Sequence, residues 1–351
     1  MRIIVIGGTG FIGSHVVARL AAEHEVTVVH RGKHSGAPPA SVHRVIGDRD
    51  TLAEPAAGFR RQPPDVVLDM IAGDERQARA VVDAFRGIAG RLVTTSSIDV
   101  YRAYEIALGL VCGTVPGPLE PVPLTEESPL RTTLHPYRNR PAGSIPFDWV
   151  TPDYDKILVE RVVRSEPSLA ATILRLPMVY GPGDPLHRFH GFLKRMDDGR
   201  PVIPLEETWA RWQGPMGYVE NVAAVIALAV TSEAAAGRTY NIAEADALSW
   251  ADWARAIGQA AGWQGRIVTL PRDRTPKRLL PPFDAEQHFA ANSSRIRNEL
   301  GYREAIPRTE ALARTVAWER ANPAPFDAAA FDYEAEDRAM LWSHPPNVSP
   351  F

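Results

Sequence analysis

The sequence predicts an α/β fold on a Rossmann-type, doubly wound parallel sheet, with a smaller C-terminal α+β domain that would bind substrate. Three observations predict it. Short β-branched runs alternate with helical stretches through the first half of the chain. Those runs are apolar almost without interruption, as in Ile3-Ile4-Val5-Ile6, which a sheet covered by helices on both faces requires. A cluster of glycines follows the first run at once, where a strand would turn into a helix.

Taken in order, residues 2–6, 25–29, 43–46, 66–68 and 91–95 read as strands, each followed by a turn or a helical pattern. Strands separated by helices imply parallel pairing through right-handed crossovers. Between 102 and 150 the pattern breaks. Prolines cluster there (Pro116, Pro118, Pro121, Pro123, Pro129, Pro136, Pro141, Pro146), marking a long irregular excursion of the kind that carries function or moves. Helical periodicity returns at 156–163 and a strand follows at 171–176. Beyond Gly181 helices, two strands and loops alternate, which suggests a smaller domain over the carboxyl edge of the sheet. The expected division is 1–181 for the sheet domain, with 216–242 returning to it; 182–215 and 243–321 for the smaller domain; and 322–351 for a proline-rich, acidic extension. There is no internal repeat.

Composition narrows the function classes. The chain has 351 residues, long enough for one large and one small domain. A hydrophobic content of 45% with 23% charged residues is that of a soluble globular protein. A net charge of -3 leaves no basic footprint, so nucleic acid is not expected as a partner. The single cysteine, Cys112, rules out an internal disulfide and suits a reducing compartment, so a cytoplasmic location is expected. No apolar run reaches the ~18 residues of a membrane span. The apolar N-terminus is too short for a targeting segment and runs straight into the glycines, so it reads as a strand.

The glycines are Gly7-Gly8-Thr9-Gly10-Phe11-Ile12-Gly13. Glycine at 7, 10 and 13 allows a tight turn, close approach of backbone to a pyrophosphate, and close helix–strand packing. The helix N-terminus then offers free N–H groups and a partial positive charge to the phosphates. Gly7, Thr9, Gly10, Phe11 and Ile12 are therefore expected to hold a dinucleotide.

With this spacing the chain resembles the extended branch of the short-chain dehydrogenase/reductase superfamily, which holds the NAD-dependent epimerases and dehydratases. The likeness recurs at Ser96-Ser97-Ile98-Asp99-Val100-Tyr101, Leu124-Thr125-Glu126-Glu127-Ser128-Pro129, Arg175-Leu176-Pro177-Met178-Val179-Tyr180-Gly181, Tyr218-Val219-Glu220-Asn221, Tyr240-Asn241 and Arg297-Asn298-Glu299-Leu300-Gly301-Tyr302. It implies NAD or NADP as cofactor, a small-molecule substrate and a homodimer. It also places Ile71, Asp48 and Arg49 near the cofactor, the last two at the adenine ring. Where the second strand ends, an NAD binder offers an acid to the ribose, whereas this chain has His30-Arg31-Gly32-Lys33. Arg31 can pair with a 2′-phosphate, with Lys33 as a second cation, which favours NADP.

The resemblance also implies a Ser–Tyr–Lys centre for hydride transfer at a carbinol or carbonyl carbon. Ser97 matches the hydroxyl that holds the substrate oxygen. Lys156, in Lys156-Ile157-Leu158-Val159-Glu160, matches the lysine that binds the nicotinamide ribose and lowers the tyrosine's pKa. The tyrosine belongs four residues before the lysine, but that position is Pro152. Thr151-Pro152 reads as an N-cap followed by the first helical residue. Tyr154 would then stand roughly 200° round the helix from Lys156. Tyr137, in Pro136-Tyr137, is the other candidate if residues 138–155 form an insertion. The departure is shared with atypical members that lose the dyad, some of them RNA-binding, so a catalytically degenerate NAD(P) sensor or RNA-binding protein is the alternative.

Substrate-side motifs depart as well. No arginine stands in register before Val219, where members acting on nucleotide-sugars carry one for the diphosphate, although Arg211 is close. The Asn that touches the sugar nucleotide in the family is Met178 here. Trp209 and Trp212 flank Arg211 and read as packing or as a pocket wall for a ring-containing substrate. His187 and His190 lack a third ligand, so no metal site is expected.

Overall fold

The computed structural model describes residues 1–32, 38–48, 51–110, 118–138, 150–325 and 330–341. Lys33, Arg49 and Cys112 lie outside them. The strands are β1 (Arg2–Ile6), β2 (Glu25–His30), β3 (His43–Ile46), β4 (Val66–Asp69), β5 (Arg91–Ser97), β6 (Ala170–Leu176), β7 (Met178–Tyr180), β8 (Val202–Glu206), β9 (Met216–Tyr218), β10 (Thr239–Asn241) and β11 (Arg266–Leu270). The helices are α1 (Phe11–Leu20), α2 (Ala53–Gly58), α3 (Glu75–Phe85), α4 (Arg102–Ala107), α5 (Lys156–Arg164), α6 (His190–Asp197), α7 (Glu207–Arg211), α8 (Val219–Thr231), α9 (Trp250–Ala261), α10 (Ser294–Leu300), α11 (Arg308–Ala321) and α12 (Tyr333–Leu341). No helix among the described residues is long and apolar enough to cross a membrane.

Seven strands form one parallel sheet in the order β10-β6-β5-β4-β1-β2-β3. The direction of winding reverses between β1 and β4, and a ligand crevice opens outside the carboxyl ends of strands at such a point. Alternation along β1 shows why the sheet is covered on both faces. Ile3 and Val5 enter one core with Val17 and Leu20 of α1 and Val222 and Ile226 of α8. Ile4 and Ile6 enter the other with Val81 and Phe85 of α3 and Val159 and Val163 of α5. Segment 216–242 thus supplies α8 beneath the sheet and β10 at its edge.

Beyond the sheet, β8 pairs with β11 and β7 with β9, both in parallel. At the C-terminal end α12 lies against α6, held by the Arg195–Glu336 pair, both of whose side chains are buried.

A buried polar network ties the sheet together at its carboxyl end. Arg175 on β6 donates from Nε and Nη2 to the two oxygens of Glu160 on α5, at 2.9 and 2.8 Å. Ser96 on β5 donates to the same carboxylate at 2.6 Å. Arg175 also donates to the Tyr101 hydroxyl, which donates in turn to Asn241 of β10, each at 2.7 Å. The Glu160 carboxylate and its hydrogen-bonded neighbours raise the Arg175 pKa against the opposing effect of burial. Breaking such a pair leaves a bare charge in the core, so Arg175→Met is expected to cost about 3–5 kcal/mol, read as a lowered urea midpoint. Adding Glu160→Leu should recover part of that loss, because the stranded carboxylate goes with it.

Candidate functional site

The glycine loop has the geometry that a dinucleotide demands. Gly7 sits at φ +86°, a conformation that side chains disfavour, and a Cβ there would stand 2.4 Å from Ile71. A Cβ on Gly13 would stand 2.9 Å from the Gly7 carbonyl and from Gly8, so α1 packs on the loop only because position 13 is bare. Gly10 is the N-cap of α1, extended, with no side chain capping it, and a Cβ there would meet nothing within 4 Å. The crest of the loop therefore presents uncapped amides to open space, and these residues fit a pyrophosphate. Thr9 is half-buried, and Ile12 packs partly against the core, so what Ile12 can give a ligand is its backbone. The Phe11 ring lies against Gly183, bringing the loop after β7 to the start of α1.

Two of the exposed large apolar side chains lie at the carboxyl ends of strands of this sheet, Ile71 against Gly7 and Ile46 near Gly32. Ile46, at the end of β3, is 70% exposed, and Ile71, past the end of β4, is 43% exposed. Such surfaces suit the flat rings of a nucleotide. Between them, His30 ends β2 with its Nδ1 accepting from the Gly32 amide at 3.2 Å and its Nε2 buried without a partner among the described residues. Arg31 is exposed and carries no ion pair among the described residues. The Asp48 carbonyl accepts from Thr51 at 3.0 Å, starting the turn that follows β3.

At the far side of the crevice the chain corrects one expectation. The helix does not begin at Thr151-Pro152. Those residues form a turn, closed by the Tyr154 amide on the Thr151 carbonyl at 3.0 Å. α5 begins at Lys156, capped by Asp155, whose carboxylate accepts from the Ile157 amide at 2.9 Å. Asp155 prevails over the local proline signal because it is fixed from elsewhere: Arg131 pairs with it at 2.8 Å and both side chains are fully buried. Tyr154 therefore precedes the helix, and the helical angle between it and Lys156 does not apply.

The structure brings Tyr154 and Lys156 close to Ser97 but gives each a different partner. Ser97 ends β5, and its Oγ accepts from the Asp99 amide at 3.1 Å. Lys156, buried, donates to the carbonyls of Ala72 and Thr95 at 2.6 and 3.0 Å, joining the carboxyl ends of β4 and β5. The Tyr154 hydroxyl donates to Asp99 Oδ2 at 2.7 Å. Tyr137 packs its ring on Tyr154, centroids 5.5 Å apart, while its hydroxyl is hydrogen-bonded to that of Tyr104. Burial raises the pKa of both tyrosines; the nearby Asp99 carboxylate raises Tyr154 further, and Tyr104 does so for Tyr137.

Asp99 is the residue that sequence reasoning missed. Burial raises its pKa, against the opposing pull of Arg131, the Tyr154 hydroxyl and Lys156. The signal was present: an acid set between apolar residues at a strand end, two positions after Ser97.

Trp212, read from the sequence as packing or as a substrate pocket wall, is buried, with its Nε1 donating to the Gln287 carbonyl at 3.1 Å. A Cβ on Gly214 would stand 2.4 Å from Trp212 and 2.6 Å from Met178, so these three positions interlock. Trp209 stacks on Trp250 at an interplanar angle of 2°. Arg211 is exposed and only loosely paired with Glu286, at 3.5 Å. His187 pairs with Glu319 at 2.7 Å and stacks on Trp318. No group of three metal-ligating side chains occurs among the described residues.

A family model described as the NAD dependent epimerase/dehydratase family matches residues 3–243. The chain belongs to that family. Among its relatives is 2'-dehydrokanamycin reductase of Streptomyces kanamyceticus, 27% identical over 306 residues, covering 84% of this chain and 75% of the relative. The dTDP-glucose 4,6-dehydratase of Streptomyces griseus is 26% identical over 333 residues, covering 90% and 93%. Solved structures of the same fold include the UDP-glucose 4-epimerase of Thermotoga maritima with UDP-glucose, at TM-score 0.65, 17% identity and coverage of 92% and 100%. Another is DesIV of Streptomyces venezuelae with NAD bound, at TM-score 0.60, 22% identity and coverage of 92% and 98%. Membership of this family makes the chain an NAD(P)-dependent enzyme of oxidoreductase type.

Gly13 tests the cradle. Gly13→Val overpacks a closed contact and should cost about 1–3 kcal/mol, read by thermal unfolding. The same variant should lose calorimetric binding of NADPH and NADH, because separating α1 from β1 displaces the amides.

Proposed function

We propose that the enzyme interconverts a carbonyl and a carbinol on a sugar-like, ring-containing small molecule that is not carried on a nucleotide diphosphate, with NADP(H) as the preferred coenzyme. The observation that carries this reading is the interlock of Met178, Trp212 and Gly214. Where family resemblance expects an asparagine against a sugar nucleotide, this chain has a thioether wedged on a buried indole. An apolar wall of this kind favours a ring face over a diphosphate, which needs cations. The name of the kanamycin-related relative, a reductase, supports the same direction.

The bound coenzyme supplies the hydride chemistry. The chain's residues do the rest. Amides of the glycine loop grip the pyrophosphate, and Arg31, with Lys33, meets the 2′-phosphate. Ser97, whose oxygen accepts from the Asp99 amide, keeps its hydroxyl proton to orient the substrate oxygen. Lys156 fixes the β4 and β5 ends and adds positive charge beneath the site.

The test is consumption of reduced coenzyme with a panel of free keto-sugars, glycosidically linked keto-sugars and nucleotide-linked ones. Turnover is expected with the first two classes, with NADPH preferred over NADH. Arg31→Ala should erode that preference by about tenfold, the worth of about 1.4 kcal/mol of charge-assisted pairing. Turnover confined to nucleotide-linked sugars would sink the substrate assignment, and equal use of both coenzymes would sink the NADP assignment.

A further inference from the structure

Tyr154 is held in a way that does not suit a tyrosinate. An acid–base tyrosine working near neutrality needs a cation at its hydroxyl, because its unperturbed pKa is ~10. Here the Lys156 ammonium is engaged by the Ala72 and Thr95 carbonyls. What meets the Tyr154 hydroxyl is the Asp99 carboxyl, at 2.7 Å, and a carboxylate there opposes ionisation of the phenol.

Asp99 has its own anomaly. Oδ2 takes the tyrosine's hydrogen bond, but Oδ1 is buried with no hydrogen-bond partner among the described residues. An ionised carboxylate with one oxygen bare in the interior is costly, whereas a neutral carboxyl tolerates it far better. The contrast with Asp155 close by is direct, since both of that residue's oxygens are occupied.

We propose that Tyr154 and Asp99 act as one hydrogen-bonded acid–base unit, in which the exchangeable proton is stored on the Asp99 carboxyl and Tyr154, neutral throughout, relays it to the substrate oxygen. The proposal rests on the carbonyl–carbinol reading above. In the reducing direction the Tyr154 O–H bond breaks as its proton bonds to the substrate oxygen. The Asp99 O–H bond breaks in the same movement, and its proton passes to the tyrosine oxygen. The carbonyl carbon gains its hydride, and is thereby reduced, from the reduced nicotinamide coenzyme, which is oxidised. Asp99 is left as a carboxylate accepting from Tyr154, and regains a proton from solvent when product leaves. In the oxidising direction each transfer reverses. Asp99 is thus a positioning and storage residue, acting through Tyr154.

The charged and titratable groups facing Asp99 fit this role. Arg131 and Lys156 favour the anion once the proton has gone, whereas Asp155 and burial favour its return; Tyr154 joins it directly, and Tyr137 packs behind. The sum of these raises the Asp99 carboxyl above its ordinary range. The Arg131 Nε is occupied by the Asp99 backbone carbonyl, at 3.0 Å, and its Nη atoms by Thr133 and Asp155, so Arg131 steadies the turn without pairing with the Asp99 carboxylate.

Infrared difference spectroscopy of the whole chain over a pH series tests this without a substrate. A carbonyl-stretch band of neutral carboxyl is expected to persist above pH ~4, the ordinary aspartate value, to vanish in Asp99→Asn and to shift in Tyr154→Phe. Unfolding measurements give an independent sign. Between the unfolded and the raised folded pKa the native state binds the extra proton, so wild-type stability falls as pH rises through that window. Asp99→Asn should therefore be the more stable protein at neutral pH, with the gap closing as pH falls. With any ketone that is turned over, the pH dependence of kcat/KM should follow the infrared titration, and Asp99→Asn should flatten it while lowering kcat at least about 100-fold. An Asp99 that titrates at or below ~4, or a band indifferent to Tyr154→Phe, overturns the proposal even if turnover is found. Absence of turnover on every ketone, with the infrared result intact, overturns the functional reading instead and leaves the stored proton established.

Discussion

The site depends on one buried carboxylate, that of Asp155. Its Oδ1 accepts from the Ile157 amide and from Arg131 Nη2, and its Oδ2 from the His135 amide and Arg131 Nη1, at 2.7 to 3.2 Å. Its own amide donates to the Gly73 carbonyl at 2.8 Å. A buried ion pair repays its desolvation only when the remaining lone pairs are also satisfied, and here they are. The result is a fixed point between Tyr154 and Lys156, from which the two side chains reach different targets. Tyr154 reaches the turn after β5, and Lys156 reaches the carbonyls at the ends of β4 and β5. Without that anchor, Thr151-Pro152 would be free to start the helix, and Tyr154 would be carried round its surface.

Two carboxyls of one residue type, close together, are thereby given opposite jobs. Asp155 is saturated with donors and holds structure. Asp99 is half-satisfied, and a half-satisfied group is where a protein keeps chemistry instead of stability. The glycine loop follows the same logic with amides. Gly8 is packed tight between Val5 of β1 and Val17 of α1 and Gly13 against the Gly7-Gly8 backbone, whereas a Cβ on Gly10 would meet nothing within 4 Å. Rigidity next to an unfilled valence is what preorganisation means at both places.

Legibility in the sequence follows the range of the forces. Six of the seven strands of the sheet are readable as short runs bounded by turn residues, and β1, β3 and β6 lie within a residue of where the pattern puts them, whereas β10 shows in the sequence only as the Tyr240-Asn241 landmark. The glycine loop was readable because tight turn, bare cap and close packing are all local demands. The start of α5 was not. Pro152 satisfies every local rule for a first helical residue, and it is overruled by Arg131, which lies 24 residues from Asp155 in sequence. Asp99 was visible as an acid in an apolar setting, but its meaning lies in a hydrogen bond spanning 55 residues. The interlock of Met178 with Trp212 was likewise out of reach, since spacing alone cannot say that two side chains share one gap.

The proline-rich excursion shows how such long-range pieces are delivered. It has no periodicity, yet it supplies Arg131, His135 and Tyr137, all directed at the short stretch before α5. Glu105 on α4 receives both amides and both hydroxyls of Thr132 and Thr133, which pins the excursion immediately after Arg131. Those donors hold the Glu105 carboxyl below its ordinary range even though burial opposes them. Past α4 the described part of the excursion forms neither helix nor strand, so its backbone groups must find partners elsewhere. Here it finds them in Glu105 and Asp155, two side-chain carboxylates, and that need is what carries an arginine and a tyrosine to the edge of the crevice. The irregular chain is thus built into the site by the same hydrogen bonds that excuse it from regular structure.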